Sequence, residues 1–321
     1  MNVQEELLRR EIDPELTSEN LSALASSALG RKTQVGQYRV LTGGCWNRVI
    51  SVDAGSEKVE LVFKISPKVG DESLSREFNV LKSFSAYSEM PVPEPLLSDT
   101  AGEIIPGSVL VMRRIHGQVM HEIAGSFTTG ERQRINDEIA EYVTALHENH
   151  DTGFGGIEVG QDGRNCHWRD FWLPRFDKVL AEVSQGDFVS EKMLDQIHEI
   201  RSSIPGMIDI GAVSTMTHYD IWSGNVMIAF RNDIPYVSGF IDIPGFFADY
   251  AREISFMYMF GMADQRFFNR YTATHDLDDG FALRLHIYNL KMHLKHISMY
   301  PNEYYYRRGA QECLRFIQKS A

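Results

Sequence analysis

The sequence predicts an α+β protein of two lobes: a small antiparallel sheet with one key helix, then a larger and mainly helical part. Three observations predict it. β-rich runs separated by turn residues crowd the first third of the chain, broken by one amphipathic helix. Helical periodicity dominates from about residue 127 onward. A loop with two short apolar strands, at 217–242, interrupts those helices.

Taken in order, residues 1–30 read as two short helices, with Gly30 as the C-cap. Runs 34–41, 49–52 and 59–65 are strands, with turns at Thr42-Gly43-Gly44 and Asp53-Ala54-Gly55-Ser56. Residues 73–84 form a helix whose Leu74, Phe78 and Leu81 share one face. Met90-Pro91-Val92-Pro93-Glu94-Pro95 must be extended, because proline and the residue before it leave the helical region. A buried-type strand at 108–112 is closed off by Gly117. Helices follow at 130–148, 170–183, 190–204, 250–262, 279–296 and 303–319, the first with Ile135, Ile139, Tyr142, Val143 and Leu146 inward. There is no internal repeat, and the lobe boundary falls near Arg114 to Gly117, giving lobes of 1–115 and 116–321.

Composition narrows the class. With 321 residues, 43% hydrophobic and 24% charged, the chain has the make-up of a soluble globular enzyme. A net charge of -12 argues against nucleic-acid binding, which needs a basic surface, and leans weakly towards an amine-bearing substrate. Cys45, Cys166 and Cys313 lie far apart with no metal-ligand or disulfide spacing. No run approaches a membrane span and no apolar signal core opens the chain, so a cytoplasmic protein with no membrane partner is expected.

The chemistry concentrates in Thr217-His218-Tyr219-Asp220-Ile221-Trp222-Ser223-Gly224-Asn225, followed by two strands and Gly239-Phe240-Ile241-Asp242. Phosphoryl transfer to a hydroxyl needs a carboxylate to orient or deprotonate the acceptor, and an amide and a second carboxylate to hold magnesium on the nucleotide phosphates. Asp220, Asn225 and Asp242 stand in that order. Each alone is more often a turn former; the conjunction carries the reading. Lys64 lies in the apolar run Leu61-Val62-Phe63-Lys64-Ile65, where a bare ammonium is costly. Nucleotide phosphates and Glu77, on the next helix, would relieve it, the alternative being a lysine snorkelling at a strand end. Gly43 and Gly44, unless an ordinary hairpin turn, would let the backbone close over phosphates, and Met112 to Ile115, Arg114 among them, would offer backbone groups to a nucleobase. His218 reads as structural, fixing the loop two residues before Asp220. Asp249 and Glu253 share one face at a helix start and either support the loop, attract a substrate amine or complement the helix end.

From about Val35 to near the C-terminus the chain resembles aminoglycoside phosphotransferases, choline kinases and fructosamine kinases, which share the protein-kinase-like fold. The most specific stretch is His218 to Asn225. Within that group, Asp220-Ile221-Trp222-Ser223-Gly224-Asn225 is most similar to the fructosamine kinase form, as are Gly43-Gly44-Cys45-Trp46-Asn47 and Asn165-Cys166-His167-Trp168. The resemblance implies ATP and Mg²⁺ as cofactors and a small-molecule hydroxyl acceptor, in a monomer or homodimer. It implies Asp220 as catalytic base, Asn225 and Asp242 as magnesium ligands, and Lys64 with Glu77 on the phosphates, Trp222 lying towards the acceptor. Tyr219 stands where the pattern has Gly, Arg113-Arg114 where an acidic residue is common, and Glu253 where Asp is usual. Other acceptors within the same fold, such as choline, homoserine or methylthioribose, and a catalytically silent nucleotide-binding scaffold are the alternatives. The resemblance implies that Cys45, if it lies in the phosphate-covering loop, is the one cysteine open to redox control, the alternative being a small residue that fills a turn.

Overall fold

The computed structural model describes residues 12–41, 47–186 and 188–320. The chain divides into two compact units, Met1–Tyr87 with Pro91–Gly117 and Ser238–Ile243, and Ser88–Met90 with Gln118–Val237 and Pro244–Ala321.

The first unit opens on helix α1 (Ser18–Leu29), started by the Thr17 hydroxyl accepting the Asn20 N–H at 3.1 Å and stopped by Gly30 at φ 64. Strands β1 (Val35–Val40), β2 (Arg48–Ala54) and β3 (Val59–Ser66) follow, then α2 (Glu72–Tyr87), β4 (Pro95–Asp99) and β5 (Ser108–Arg113). They form one antiparallel sheet in the order β1-β2-β3-β5-β4. Leu21 and Leu24 of α1 pack on Ile50, Leu61, Phe63 and Val109 to make its core. The proline-rich segment expected to be merely extended runs on into β4. A proline that opens an edge strand forfeits no ladder hydrogen bond, so Pro95 is tolerated there. β5 ends at Arg113, short of Gly117.

The second unit holds β6 (Gln118–Val119), α3 (Met120–Ile123), α4 (Thr129–His147), β7 (Gly155–Gly156) and α5 (Trp168–Gln185). After them come α6 (Glu191–Arg201), α7 (Ile204–Asp209), β8 (Ser214–Thr217), β9 (Val226–Arg231), β10 (Ile234–Phe240), whose end from Ser238 on belongs to the first unit, and β11 (Phe246–Asp249). Helices α8 (Tyr250–Met259), α9 (Gln265–Tyr271), α10 (Phe281–Met299) and α11 (Tyr304–Ser320) complete it. The single helix expected at 190–204 is two. Pro205 occupies the first turn of α7, where its missing N–H is harmless, and so restarts the helix. β11 and α9 were not expected; Phe246-Phe247-Ala248-Asp249 is too short to show alternation. β11 lies between β7 and β8, and β9 between β6 and β10. α10 runs against α5, α8 and α11. Among the described residues no helix is long and apolar enough to cross a membrane.

Candidate active site

In the first unit the sheet delivers Lys64. Its neighbours Phe63 and Ile65 are fully buried, so the pleat turns Lys64 to the other face. There its Nζ donates to Glu77 Oε1 of α2 at 2.6 Å and to Asp242 Oδ1. Burial works against the ammonium, but the two carboxylates outweigh it and hold its pKa above that of an ordinary lysine. Lys64 is therefore a fixed positive charge. Asp242 is presented by the end of β10, where the Phe240 N–H donates to Pro91 O at 2.8 Å and Ser238 Oγ to His116 O at 2.6 Å. A Cβ at Gly239 would lie 2.4 Å from the tip of Ile115 and 3.1 Å from Pro91 O, so a larger residue would have to displace Ile115. Asp242 itself takes a left-handed backbone, φ 55, and keeps its side chain half exposed.

In the second unit, β8 pairs with β11, Thr217 opposite Phe246, and releases the chain into the loop 218–225. His218 is fully buried; its carbonyl accepts the Gly245 N–H at 3.2 Å and its Nδ1 the Asp220 N–H at 3.3 Å. Both bonds tie the histidine to the backbone of the loop and of the turn before β11. Tyr219 adopts φ 81, the glycine-type backbone, although it is not glycine. Its N–H donates to Glu253 Oε1 at 2.6 Å, and its ring lies 4.6 Å from Phe246. Asn225, buried at the far end, donates from Nδ2 to Asp220 O at 3.0 Å and to Asp220 Oδ2 at 2.8 Å. One amide thus fixes both backbone and carboxylate of Asp220. A Cβ at Gly224 would sit 2.3 Å from the Trp222 ring, so a larger residue there would have to move that ring. The Ser223 carbonyl accepts the His121 N–H at 2.9 Å, tying the loop to α3.

Asp249 and Glu253 stand behind this loop, both fully buried. Asp249 caps α8, accepting the Ala251 N–H, and also accepts from Arg284 Nε at 2.7 Å and Tyr288 Oη at 2.6 Å. Burial pushes its carboxyl upward and Arg284 counters. Glu253 takes His147 Nε2 at 2.9 Å on its other oxygen, and His147 Nδ1 meets Tyr271 Oη at 2.8 Å. Both residues are spent on structure. His147, Arg284 and Tyr288 were not anticipated as members of this support; they lie in helices whose apolar period alone was informative.

The remaining expected residues are placed as follows. Met112 is buried in β5. The Arg114 N–H donates to Glu60 O at 3.1 Å and its guanidinium to the Glu60 carboxylate at 3.2 Å. Gly43, Gly44 and Cys45 lie outside the described residues. Trp222 is half-buried, its ring 6.1 Å from Phe260 and 6.0 Å from His121. Among the described residues no group of three or more His, Cys, Asp or Glu is gathered as a metal centre.

Comparison with known families decides between the relatives that this arrangement allows: residues 17–319 match the family model of fructosamine kinase. The chain belongs to the fructosamine kinase family. This fructosamine kinase family member is 24% identical over 171 residues to a probable ketoamine kinase of Lactiplantibacillus plantarum, covering 50% of this chain and 60% of that protein. It is 25% identical over 229 residues to a probable acyl-CoA dehydrogenase, IBR3, of Arabidopsis thaliana, covering 68% of this chain but 27% of that protein. The chain thus spans less than two thirds of either relative. A solved candidate fructosamine-3-kinase from Thermobifida fusca superposes with a TM-score of 0.72 at 15% identity, covering 93% of this chain and 98% of that one. The ADP-bound aminoglycoside phosphotransferase APH(2'')-Ib gives 0.63 at 14% identity, over 93% and 97%. The fold is the protein-kinase-like one.

Proposed function

We propose that the protein is a small-molecule kinase that transfers the γ-phosphate of ATP to a hydroxyl of a sugar-like, ketosamine-type acceptor. The observation that carries this reading is Lys64, held charged by Glu77 and by Asp242 from the end of β10. A fixed ammonium suits nucleotide phosphates, and Glu77 sets its direction. Asp220 receives the acceptor hydroxyl and takes or orients its proton. Asn225 holds the Asp220 carboxylate in one rotamer, which spares the reaction that ordering cost. The backbone around Asp220 is set by Glu253 and His218.

The side-chain chemistry of Asp242 and of Asn225, each taken by itself, suits magnesium. Asp242 is a half-exposed carboxylate, and Asn225 spends only Nδ2 in its two bonds to Asp220, so its Oδ1 is suited to a cation. Magnesium favours such hard oxygens, one or two from protein and the rest from phosphates and water. When bound, it would neutralise charge on the transferring phosphoryl group. The family and the ketoamine kinase relative support the ketosamine acceptor. The test is a panel of ketosamines, aminoglycosides and amino alcohols with labelled ATP, comparing wild type with Asp220→Asn. Loss of several orders of magnitude is expected; undiminished transfer by the variant would remove Asp220 from its role.

A further inference from the structure

The protein is acidic overall, yet one place beside the catalytic loop gathers positive charge. Arg252 of α8 is 4% exposed. Its Nε and Nη1 find no acceptor among the described residues, and Nη2 reaches only Met292 Sδ at 3.8 Å. Its guanidinium lies over the Tyr219 ring at 4.0 Å and over Phe256 at 5.2 Å. The Tyr219 hydroxyl is itself buried with no partner among the described residues. From α10 comes Lys291, half-buried, for which the described residues supply no ion pair. From α5 comes Arg175, whose Nη1 donates to Phe171 O at 2.6 Å. Lys295, one turn from Lys291, is neutralised by both oxygens of Glu182 at 3.0 Å.

We propose that Arg252 and Lys291, backed by the Tyr219 ring, form a subsite for an anionic group, a carboxylate or a phosphate, carried by the hydroxyl acceptor. Stacking on two rings offsets part of the cost of burying Arg252, but a ring accepts no hydrogen bond in the guanidinium plane, where Nε and Nη1 point. Buried donors of this kind are retained where something else satisfies them. Lys291 carries the same message: burial, then Arg252, Arg175 and Lys295, push its pKa down to about 7. An incoming oxyanion would reverse that and complete a two-cation clamp. The location ties the clamp to the acceptor, because Tyr219 precedes Asp220 in the chain. It also explains why Tyr replaces the small residue of the family pattern: the ring is the plate on which Arg252 lies. The assignment of this anion to the acceptor rests on the phosphotransfer reading; the clamp itself does not.

The test is calorimetry on the full chain with two matched pairs, fructosyl-glycine against fructosyl-glycinamide and fructose 6-phosphate against fructose, with Mg-AMP-PNP titrated separately. The acidic member of at least one pair should bind about tenfold tighter or better than its neutral partner, and which pair responds names the anion. Lys291→Gln and Arg252→Gln should each collapse that ratio to about twofold, with Arg252→Lys keeping part of it. Equal affinities within both pairs, no binding by any of the four, or a ratio unchanged in Lys291→Gln would overturn the clamp. If that unchanged ratio came with weaker Mg-AMP-PNP binding in Lys291→Gln, the acceptor subsite would be overturned and the lysine would belong to the nucleotide. Absence of Mg-AMP-PNP binding to wild type would count against the kinase reading alone, since the acid-to-neutral ratio is still measured.

Discussion

Glu253 Oε1 accepts the backbone N–H of Tyr219 at 2.6 Å, so a fully buried carboxylate on α8 sets the peptide that immediately precedes Asp220. Its second oxygen is anchored by His147 at 2.9 Å, which leaves the carboxylate little freedom to follow the loop. Replacing it by Ala frees the loop and strands His147. Small displacements of a reacting group cost about 10²-fold in rate. Glu253→Ala should therefore lower kcat by about 10- to 100-fold while changing the Kd for Mg-ATP far less, a split that steady-state kinetics and calorimetry resolve.

Tyr219 sits at φ 81, where side chains other than glycine are disfavoured by about 1–2 kcal/mol. Two truncations separate backbone from ring. Both Tyr219→Ala and Tyr219→Gly lose the packing on Phe246 and Arg252, but only Gly relieves the backbone. The Gly variant should be the more stable of the two by about 1 kcal/mol in denaturant unfolding, the reverse of the order seen in helices.

Asp249 and Arg284 are both fully buried and bonded through Nε at 2.7 Å. Removing one partner of such a pair strands the other charge, at a cost of about 3–5 kcal/mol. Asp278 also holds Arg284, at 2.7 Å, so Asp249→Ala should fall at the lower end of that range. Arg284→Met, which leaves both carboxylates behind, should cost at least as much. Melting curves of the two variants check the order.

Asp137 is one local source of acid sensitivity. Hydrogen bonds from Arg266, with Arg270 assisting, hold the Asp137 carboxyl down at about 2. A carboxylate depressed below its unfolded value of about 3.9 contributes stability above that value and loses it as the pH falls towards the folded one. Between pH 4 and pH 2, wild type should therefore lose stability more steeply than Asp137→Asn, and the two curves should run parallel above about pH 5. Parallel curves throughout would show that the Arg266–Asp137 pair does not tie α4 to α9.

What the sequence revealed follows from where each signal is local. Lys64 was legible because a charge among Val62, Phe63 and Ile65 demands partners, and Glu77 lay one helix away. Asp220 and Asn225 were legible because six residues of loop carry both, and Asn225 Nδ2 donates to Asp220 Oδ2 at 2.8 Å. Arg252 and Lys291 were not, since a basic residue in a helix ordinarily marks the solvent face. Here α8 and α10 both invert that expectation, with Arg252 on one and Arg284 on the other buried. β4 and β11 escaped notice for another reason: an edge strand opened by proline, and four residues ahead of a helix, carry too little alternation to register.

Ser238–Ile243 belongs to the first unit although the chain has by then built most of the second. Lys64 meets the carboxylate of Asp242 across 178 residues of sequence. In a chain made from its N-terminus, the Lys64–Asp242 contact can form only after β10 has been synthesised. For the same reason a fragment ending near Gly117 would be an incomplete lobe, lacking a partner strand end and one of the two charges that hold Lys64, and the gene cannot be cut between lobes without cutting through one of them.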